Sequence, residues 1–204
     1  ESKESRIFYI SSSHFQKGMS FLIAKGQVKD EVPEVAKFLF SQKGLKRSAV
    51  GEFIGNGYIS FQFLSILIVS NEAFNNHVLE AYVNFFDFTN MEFDIALSIF
   101  YRIITISDQS RTFLAKFTLP KEAQQIDRIM EKFALGFCRQ NPSVFENSGT
   151  FRNRFHSQVK DVGYILAFSL IMLNTDDHNP NIAKENKMTK DQFVKNNRGI
   201  NNGK

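Results

Sequence analysis

Phe117-Thr-Leu-Pro-Lys-Glu-Ala-Gln-Gln-Ile-Asp-Arg-Ile-Met-Glu-Lys-Phe133 is the stretch on which the reading of this chain turns. A turn carrying Pro120 delivers one carboxylate, Glu122, to the first turn of a helix. Ile126, Ile129, Met130, Phe133, Ala134 and Phe137 then recur at spacings of 3, 1, 3, 1 and 3. That pattern is a core-facing stripe on a helix of about 18 residues. Asn141-Pro142 ends it, because proline disfavours the helical conformation in the residue before it. A carboxylate at a helix start complements the helix dipole, worth about 0.3–1 kcal/mol, so position alone gives Glu122 no further role.

A second helix is predicted from Tyr164 to Thr175, running into Asn174-Thr-Asp-Asp-His-Asn-Pro-Asn181. Between Tyr164 and Leu173 only Ser169 is polar. A helix apolar all round is either enclosed by its own domain or covered on one face by a partner. Met172 suits the second case, since methionine packs adaptably against a mobile surface. Pattern alone leaves both fates open.

The rest of the chain is helical in pattern. Ser13-His-Phe-Gln16 has capping-box spacing before Met19, Leu22 and Ile23, with Gly26 as a stop. Helices follow over Pro33 to Gln42 and Lys46 to Ile54, the latter closed by Gly55. Short helices with tight connections suggest stacked antiparallel hairpins. Over 57–70, periodicity does not decide between a strand and a buried helix. A helix is predicted from Asn71 to Phe86, and another after a capping box at Thr89-Asn-Met-Glu92. Ser107 to Ser110 interrupts the pattern, 111–117 resumes it, and the polar, basic Gly149 to Lys160 reads as a loop. Thr189-Lys-Asp-Gln192 caps a last helix through Phe193 and Val194.

The bulk numbers bound the function. With 204 residues, 43% hydrophobic and 23% charged, the chain has an ordinary soluble composition and a length suited to one domain. The 23 phenylalanines with no tryptophan are unusual, but carry no mechanism by themselves. A net charge of +4 without a Lys/Arg tract predicts no nucleic-acid partner. The single cysteine, Cys138, excludes an intramolecular disulfide and fits a reducing compartment. With no signal-peptide pattern and no apolar run of about 18 residues, a cytosolic protein with only peripheral membrane contact is expected.

Motifs for covalent chemistry are not found. Asp176-Asp177-His178 offers metal-ligand side chains, but three adjacent residues at a helix end converge poorly on one ion, and no metal is predicted. Cys138 shows no sign of activation, and Gly199 to Gly203 neither follows a strand nor opens a helix, as a phosphate loop would.

Leu119 to Met130 resembles the first signature of the Sec-seven homology domain, the catalytic domain of guanine-nucleotide exchange factors for ADP-ribosylation factor (Arf) GTPases. Phe168 to Asn181 resembles the second signature. Further matches lie at Gly18 to Ile23, Val35 to Leu39, Ala49 to Ile54, Phe86-Asp-Phe88, Met188-Thr189 and Asn197 to Gly203. The resemblance implies an all-α fold, a right-handed superhelix of about ten helices with an apolar groove. It implies one domain over 1–204, lacking the family's final helices, with extra segments near 57–70, 98–110 and 149–160.

The resemblance also implies a mechanism. Glu122 becomes a glutamic finger that enters the GTPase nucleotide site, competes with the GDP β-phosphate and its Mg ion, and pairs with the phosphate-loop lysine. The groove takes up the GTPase switch regions, with Lys121, Phe168, Met172, Asn179 and Asp161 at partner-binding positions. Some relatives are blocked by brefeldin A at this interface; Ser169, Asp176 and Met188 match the susceptible pattern and Phe168 the resistant one. No cofactor of its own is implied, since GDP, GTP and Mg belong to the GTPase, and no covalent bond is made or broken. Vesicle transport at Golgi or endosomal membranes is the implied setting. The alternative is a module of the same fold that docks a GTPase or scaffold without exchange. Two departures from the family pattern motivate it: Lys121 replaces a usual glycine, which takes a left-handed turn at little cost, and Asp177 replaces a usual leucine.

Overall fold

The computed structural model describes residues 12–56, 71–100, 119–145 and 155–200, with backbone alone for 12–14, 71–73 and 155–161. Eight α-helices and one short 3-10 turn are found among them: α1 Ser12–Ala24, α2 Val32–Ser41, α3 Arg47–Gly55, α4 Asn71–Val83, α5 Phe93–Phe100, α6 Ala123–Gln140, α7 Phe155–His178, the turn Lys184–Asn186, and α8 Lys190–Asn196. The architecture is all-α, as the sequence predicts. The undecided segment 57–70, the interruption at 107–110, the stretch 111–117 and the extra segment near 98–110 beyond the end of α5 lie outside the described residues.

α6 is the axis. Its predicted stripe is the buried one: Ile129, Met130, Phe133, Ala134 and Phe137 are all inaccessible to solvent. α3, α4, α5 and α7 each pack against it. Burying one such side chain contributes about 1.5–3 kcal/mol. The phenylalanines now have a place. Phe86, Phe88, Phe93, Phe100, Phe133, Phe137 and Phe145 form a connected ring cluster, with centroids 4.9 Å apart for Phe93–Phe137 and 5.1 Å for Phe100–Phe133. Aromatic pairs of this kind add about 0.5–1.5 kcal/mol each beyond area burial.

Glycine lets α4 come close to α6. A Cβ on Gly136 would stand 2.4 Å from Val83 Cγ1, well inside contact distance. At the far end of α6, Gln140 and Asn141 read the backbone of the Phe86–Asn90 loop. Asn141 Nδ2 donates to the Phe88 and Phe137 carbonyls, and its Oδ1 accepts from the Asn90 amide at 2.9 Å. Gln140 accepts from the Phe88 amide and donates to the Phe86 carbonyl. Asn90 is held at φ 58°, a conformation asparagine tolerates better than most residues. On the outer side of α6, Glu80 of α4 accepts from Lys132 at 3.3 Å and Arg139 at 2.9 Å.

Several expectations are corrected. α1 makes its main contacts with α3, and α2 with α4, so α1 and α2 do not form the expected hairpin with each other, whereas the consecutive α6 and α7 do pack together. The apolar faces select partners across the bundle, and tight loops alone do not. α1 already begins at Ser12, which puts Ser13 inside the helix rather than at its cap. α4 ends at Val83, three residues before Phe86. The Thr89–Glu92 box does not form: α5 starts at Phe93, and the Thr89 amide donates to Asp87. The Thr189–Gln192 box does form, with both reciprocal hydrogen bonds. The loop expected over 149–160 gives way to helix from Phe155, and its first part lies outside the described residues. Polar composition suggested a loop, yet no proline or glycine interrupts 150–162, and polar residues are compatible with a helix. α7 also runs past Thr175 to His178, so Asp176 and Asp177 are helical.

Candidate functional site

Glu122 is the N-cap of α6, one residue before its first turn, with extended φ −84° and ψ 128°. Its carbonyl accepts from the Gln125 and Ile126 amides and so begins the helix. Its side chain makes no cap hydrogen bond. The carboxylate is exposed, and capping does not consume it. Lys121 beside it is also exposed and does not adopt a positive φ; Asn90 is the only non-glycine residue that does among those described. The turn therefore does not need the glycine that the family pattern places there, and the strain expected from Lys121 is not found.

The seat of this turn is built by α3. Arg128 Nη1 donates to the Gly55 carbonyl at 3.0 Å, tying the second turn of α6 to the end of α3. Gly55 permits the approach, since a Cβ there would lie 3.0 Å from Gln125 Cβ and from Ile129 Cδ1. Asn75 of α4 donates to the Asn56 carbonyl at 2.6 Å and fixes the residue that follows α3. Between α1, α3 and the start of α6 lies a polar cavity of about 360 Å³, lined by Gln16, Glu52, Phe53, Asn56, Lys121, Glu122 and Gln125. The sequence pointed to Glu122 and Lys121 but not to Glu52, which joins them only when α3 meets α6.

α7 supplies the second part. It packs along α6, burying Ala167 and Ile171, and is not enclosed on all sides. Ile165 is 44% exposed and Met172 52%, two open apolar side chains seven positions apart and so on one face. Phe168 and Ser169 are half-buried on the same helix. Asp161 lies in α7, where only the backbone is described. Tyr164 links the two helices: its hydroxyl donates to Asp127 of α6, and its ring lies 6.2 Å from that of Phe168. That hydrogen bond to Asp127, then burial, then the Asp127 and Glu131 charges, push the Tyr164 hydroxyl up to about 12. The phenol therefore stays protonated and keeps donating. Asp127 sits within the first signature, but nothing in its spacing revealed this link.

The end of α7 is occupied locally. Asn179 Oδ1 accepts from the Asn181 amide in a tight turn, and His178 Nδ1 donates to the Asn174 carbonyl at 2.8 Å. Asp176 accepts from the Met188 amide at 2.7 Å, and Ser169 donates to Asn197 at 2.7 Å. These two contacts tie three of the expected brefeldin positions into the protein's own structure. No group of three or more His, Cys, Asp or Glu side chains is arranged to hold a metal among the described residues. Burial pushes the Cys138 thiol up to about 11, so it is not a thiolate nucleophile at neutral pH.

A family model described as the Sec7 domain matches residues 4–204. The chain belongs to the Sec7 domain family. It is 42% identical over 195 residues to the ankyrin repeat, PH and SEC7 domain containing protein secG of Dictyostelium discoideum, covering 94% of this chain and 16% of that protein. It is 42% identical over 188 residues to brefeldin A-inhibited guanine nucleotide-exchange protein 2 of Arabidopsis thaliana, covering 92% of this chain and 8% of that protein. The chain thus spans a small part of these curated relatives. Among solved structures it is similar to the Sec7p catalytic domain, with a TM-score of 0.69 and 36% identity over 100% of this chain and 89% of that one. It is also similar to a Sec7 domain solved with ARF1-GDP and brefeldin A, with a TM-score of 0.67 and 27% identity over 99% and 82%. The Sec7 arrangement accounts for the all-α bundle and for the juxtaposition of α6 with α7.

Proposed function

We propose that this Sec7 domain is a guanine-nucleotide exchange factor that drives GDP release and GTP loading on an Arf-family small GTPase. The observation that carries the proposal is the uncommitted Glu122 carboxylate, exposed at the start of α6 and free of cap hydrogen bonds. The helix that bears it packs on α7, whose Ile165 and Met172 remain open to a partner.

Exchange makes and breaks no covalent bond. The domain has to bind the nucleotide-free GTPase more tightly than the GDP-bound form, because only differential affinity shifts the equilibrium. A carboxylate entering a desolvated phosphate site repels the β-phosphate and attracts the lysine that held it. The apolar face of α7, with Phe168 and Met172, takes up the switch regions and contributes the binding free energy that draws them off the nucleotide. Asn179, and Asp161 in the early part of α7, are proposed to contact the same switch regions. The domain needs no cofactor; GDP, GTP and Mg are the partner's. Brefeldin A is proposed to bind the complex against Phe168, Ser169, Asp176 and Met188. The cellular setting is a cytoplasmic protein recruited peripherally to Golgi or endosomal membranes for vesicle transport.

A second reading rests on Lys121. An ammonium group beside the finger attracts the phosphate that Glu122 repels, which favours docking without exchange. Release of fluorescent GDP from a panel of purified Arf-family GTPases separates the two. The proposal expects at least one GTPase to release GDP at a rate that rises with domain concentration. Stable binding without release on every member of the panel refutes exchange and supports the docking module.

A further inference from the structure

We propose that Asp176 and Ser169 are positioning residues that hang α8 from α7 and thereby set the opening of the partner groove. The inference rests on the exchange-factor reading for its functional half. Its structural half stands on hydrogen bonds and burial.

The segment from Ile182 to Ile200 contributes no buried residue. Neither does it contribute to the hydrophobic core or to the partly buried apolar residues packed against it. Every other described helix is anchored by apolar burial, and α8 is not. Hydrogen bonds tie it to α7 instead. Asp176 Oδ2 accepts from the Met188 amide at 2.7 Å, two residues before α8 begins. Ser169 Oγ donates to Asn197 Oδ1 at 2.7 Å, one residue after α8 ends. Lys187 Nζ adds a bond to the Asp177 carbonyl.

The geometry makes these contacts a pair of clasps. Ser169 and Asp176 are seven residues apart on α7, two helical turns, and so lie on one face. Met188 and Asn197 flank α8 at its two ends. Each attachment is braced by a neighbouring hydrogen bond. The Thr189–Gln192 capping box locks the turn next to Met188. Asn197 Nδ2 donates to the Phe193 carbonyl at 2.8 Å, which fixes its Oδ1 as the acceptor for Ser169. Between the clasps, on the same face of α7, stands Met172, and α8 carries Val194; each is 52% exposed. Attachment by polar links leaves both of these apolar side chains uncovered. Substitutions at Ser169 or Asp176 therefore act on a partner or inhibitor through the position of α8 as well as through direct contact.

Amide hydrogen exchange of the free protein, paired with steady-state nucleotide exchange, tests this. In Asp176→Ala, protection of the half-buried Met188 amide should fall at least about tenfold, since its only acceptor is removed. Asp176→Asn retains an acceptor oxygen and should keep protection within about threefold. Ser169→Ala should deprotect the last turn of α8. Amides of α4 and α6 should be unchanged in all three, which excludes misfolding as the cause. With the GTPase as substrate, Asp176→Ala and Ser169→Ala should raise KM by roughly 3- to 30-fold while kcat changes less than about twofold, because binding is lost and the finger is untouched. Unchanged Met188 protection in Asp176→Ala overturns the clasp. Lost protection with an unchanged KM overturns its control of the groove. Absence of nucleotide exchange by the unmodified domain refutes the exchange-factor reading alone, and the amide measurements then decide the clasp independently.

Discussion

Replacing Glu122 should separate function from folding. Its side chain makes no cap hydrogen bond and is exposed, so removal forfeits only the favourable charge at the start of α6. That interaction is worth about 0.3–1 kcal/mol. For a domain of this size, about 2–4 °C of Tm accompanies each kcal/mol, so Glu122→Ala should lower Tm by no more than about 4 °C. The functional loss should be far larger. Removing one partner of a desolvated charge pair costs about 2–5 kcal/mol. At 1.36 kcal/mol per decade, GDP release should slow by roughly 30-fold to several thousand-fold. Glu122→Lys should be slower still, since it places a like charge against the phosphate-loop lysine. Stopped-flow release of fluorescent GDP measures the rate, and calorimetry measures Tm on the same samples. A Glu122→Lys domain with full activity would refute the finger. A fall in Tm above about 10 °C for Glu122→Ala would show that the carboxylate serves the fold after all.

Three further outcomes follow from other parts of the molecule. Lys121→Ala removes the cation beside the proposed finger without altering a backbone that has no need of glycine there, and should speed GDP release by roughly 2- to 5-fold; an unchanged or slower rate counts against its proposed opposing role. Asn141→Ala deletes three hydrogen bonds and leaves buried backbone groups unpaired, which should cost about 2–4 kcal/mol and roughly 5–15 °C of Tm; a loss under about 2 °C in a thermal melt would show that the Phe86–Asn90 loop holds itself. Burial alone would raise the Glu80 carboxyl, but the Arg139 and Lys132 contacts more than offset it and hold it below 4.5. A lowered folded value means that the stabilisation is present above pH 4.5 and lost as pH falls through the folded value. Glu80→Gln should therefore melt below the unmodified protein at pH 7, with the gap closing on acidification; a gap independent of pH would refute the link.

Much of the bundle was legible locally. The stripe Ile126 to Phe137 names a helix and its buried face by periodicity alone, and α6 follows it from Ala123 to Gln140. The Thr189–Gln192 box was readable from its spacing too, but the same spacing at Ser13–Gln16 and Thr89–Glu92 forms no cap, because where the helix begins decides whether the box is used. Readings that depended on composition fared worse. The polar run before Tyr164 suggested a loop where α7 has already begun, since composition reports solvent exposure and not backbone conformation. The phenylalanine excess suggested nothing, until packing gathered seven of the rings around α6.

By itself the sequence determined that the chain is helical, that α6 carries a core-facing stripe, and that a carboxylate stands at its start. These are short-range matters of spacing and capping. Only the tertiary structure decided what that carboxylate is free to do. Glu122 is uncommitted because its side chain makes no cap bond, and it borders a cavity because Gly55 lets α3 reach α6. Likewise, the uniformly apolar helix had two possible fates, and packing chose between them. Ala167 and Ile171 are spent on the core, while Ile165 and Met172 stay open beside an α8 that is clasped by polar atoms and covers neither. Periodicity specifies which residues share a face, but only the arrangement of neighbouring helices determines which faces remain for a partner.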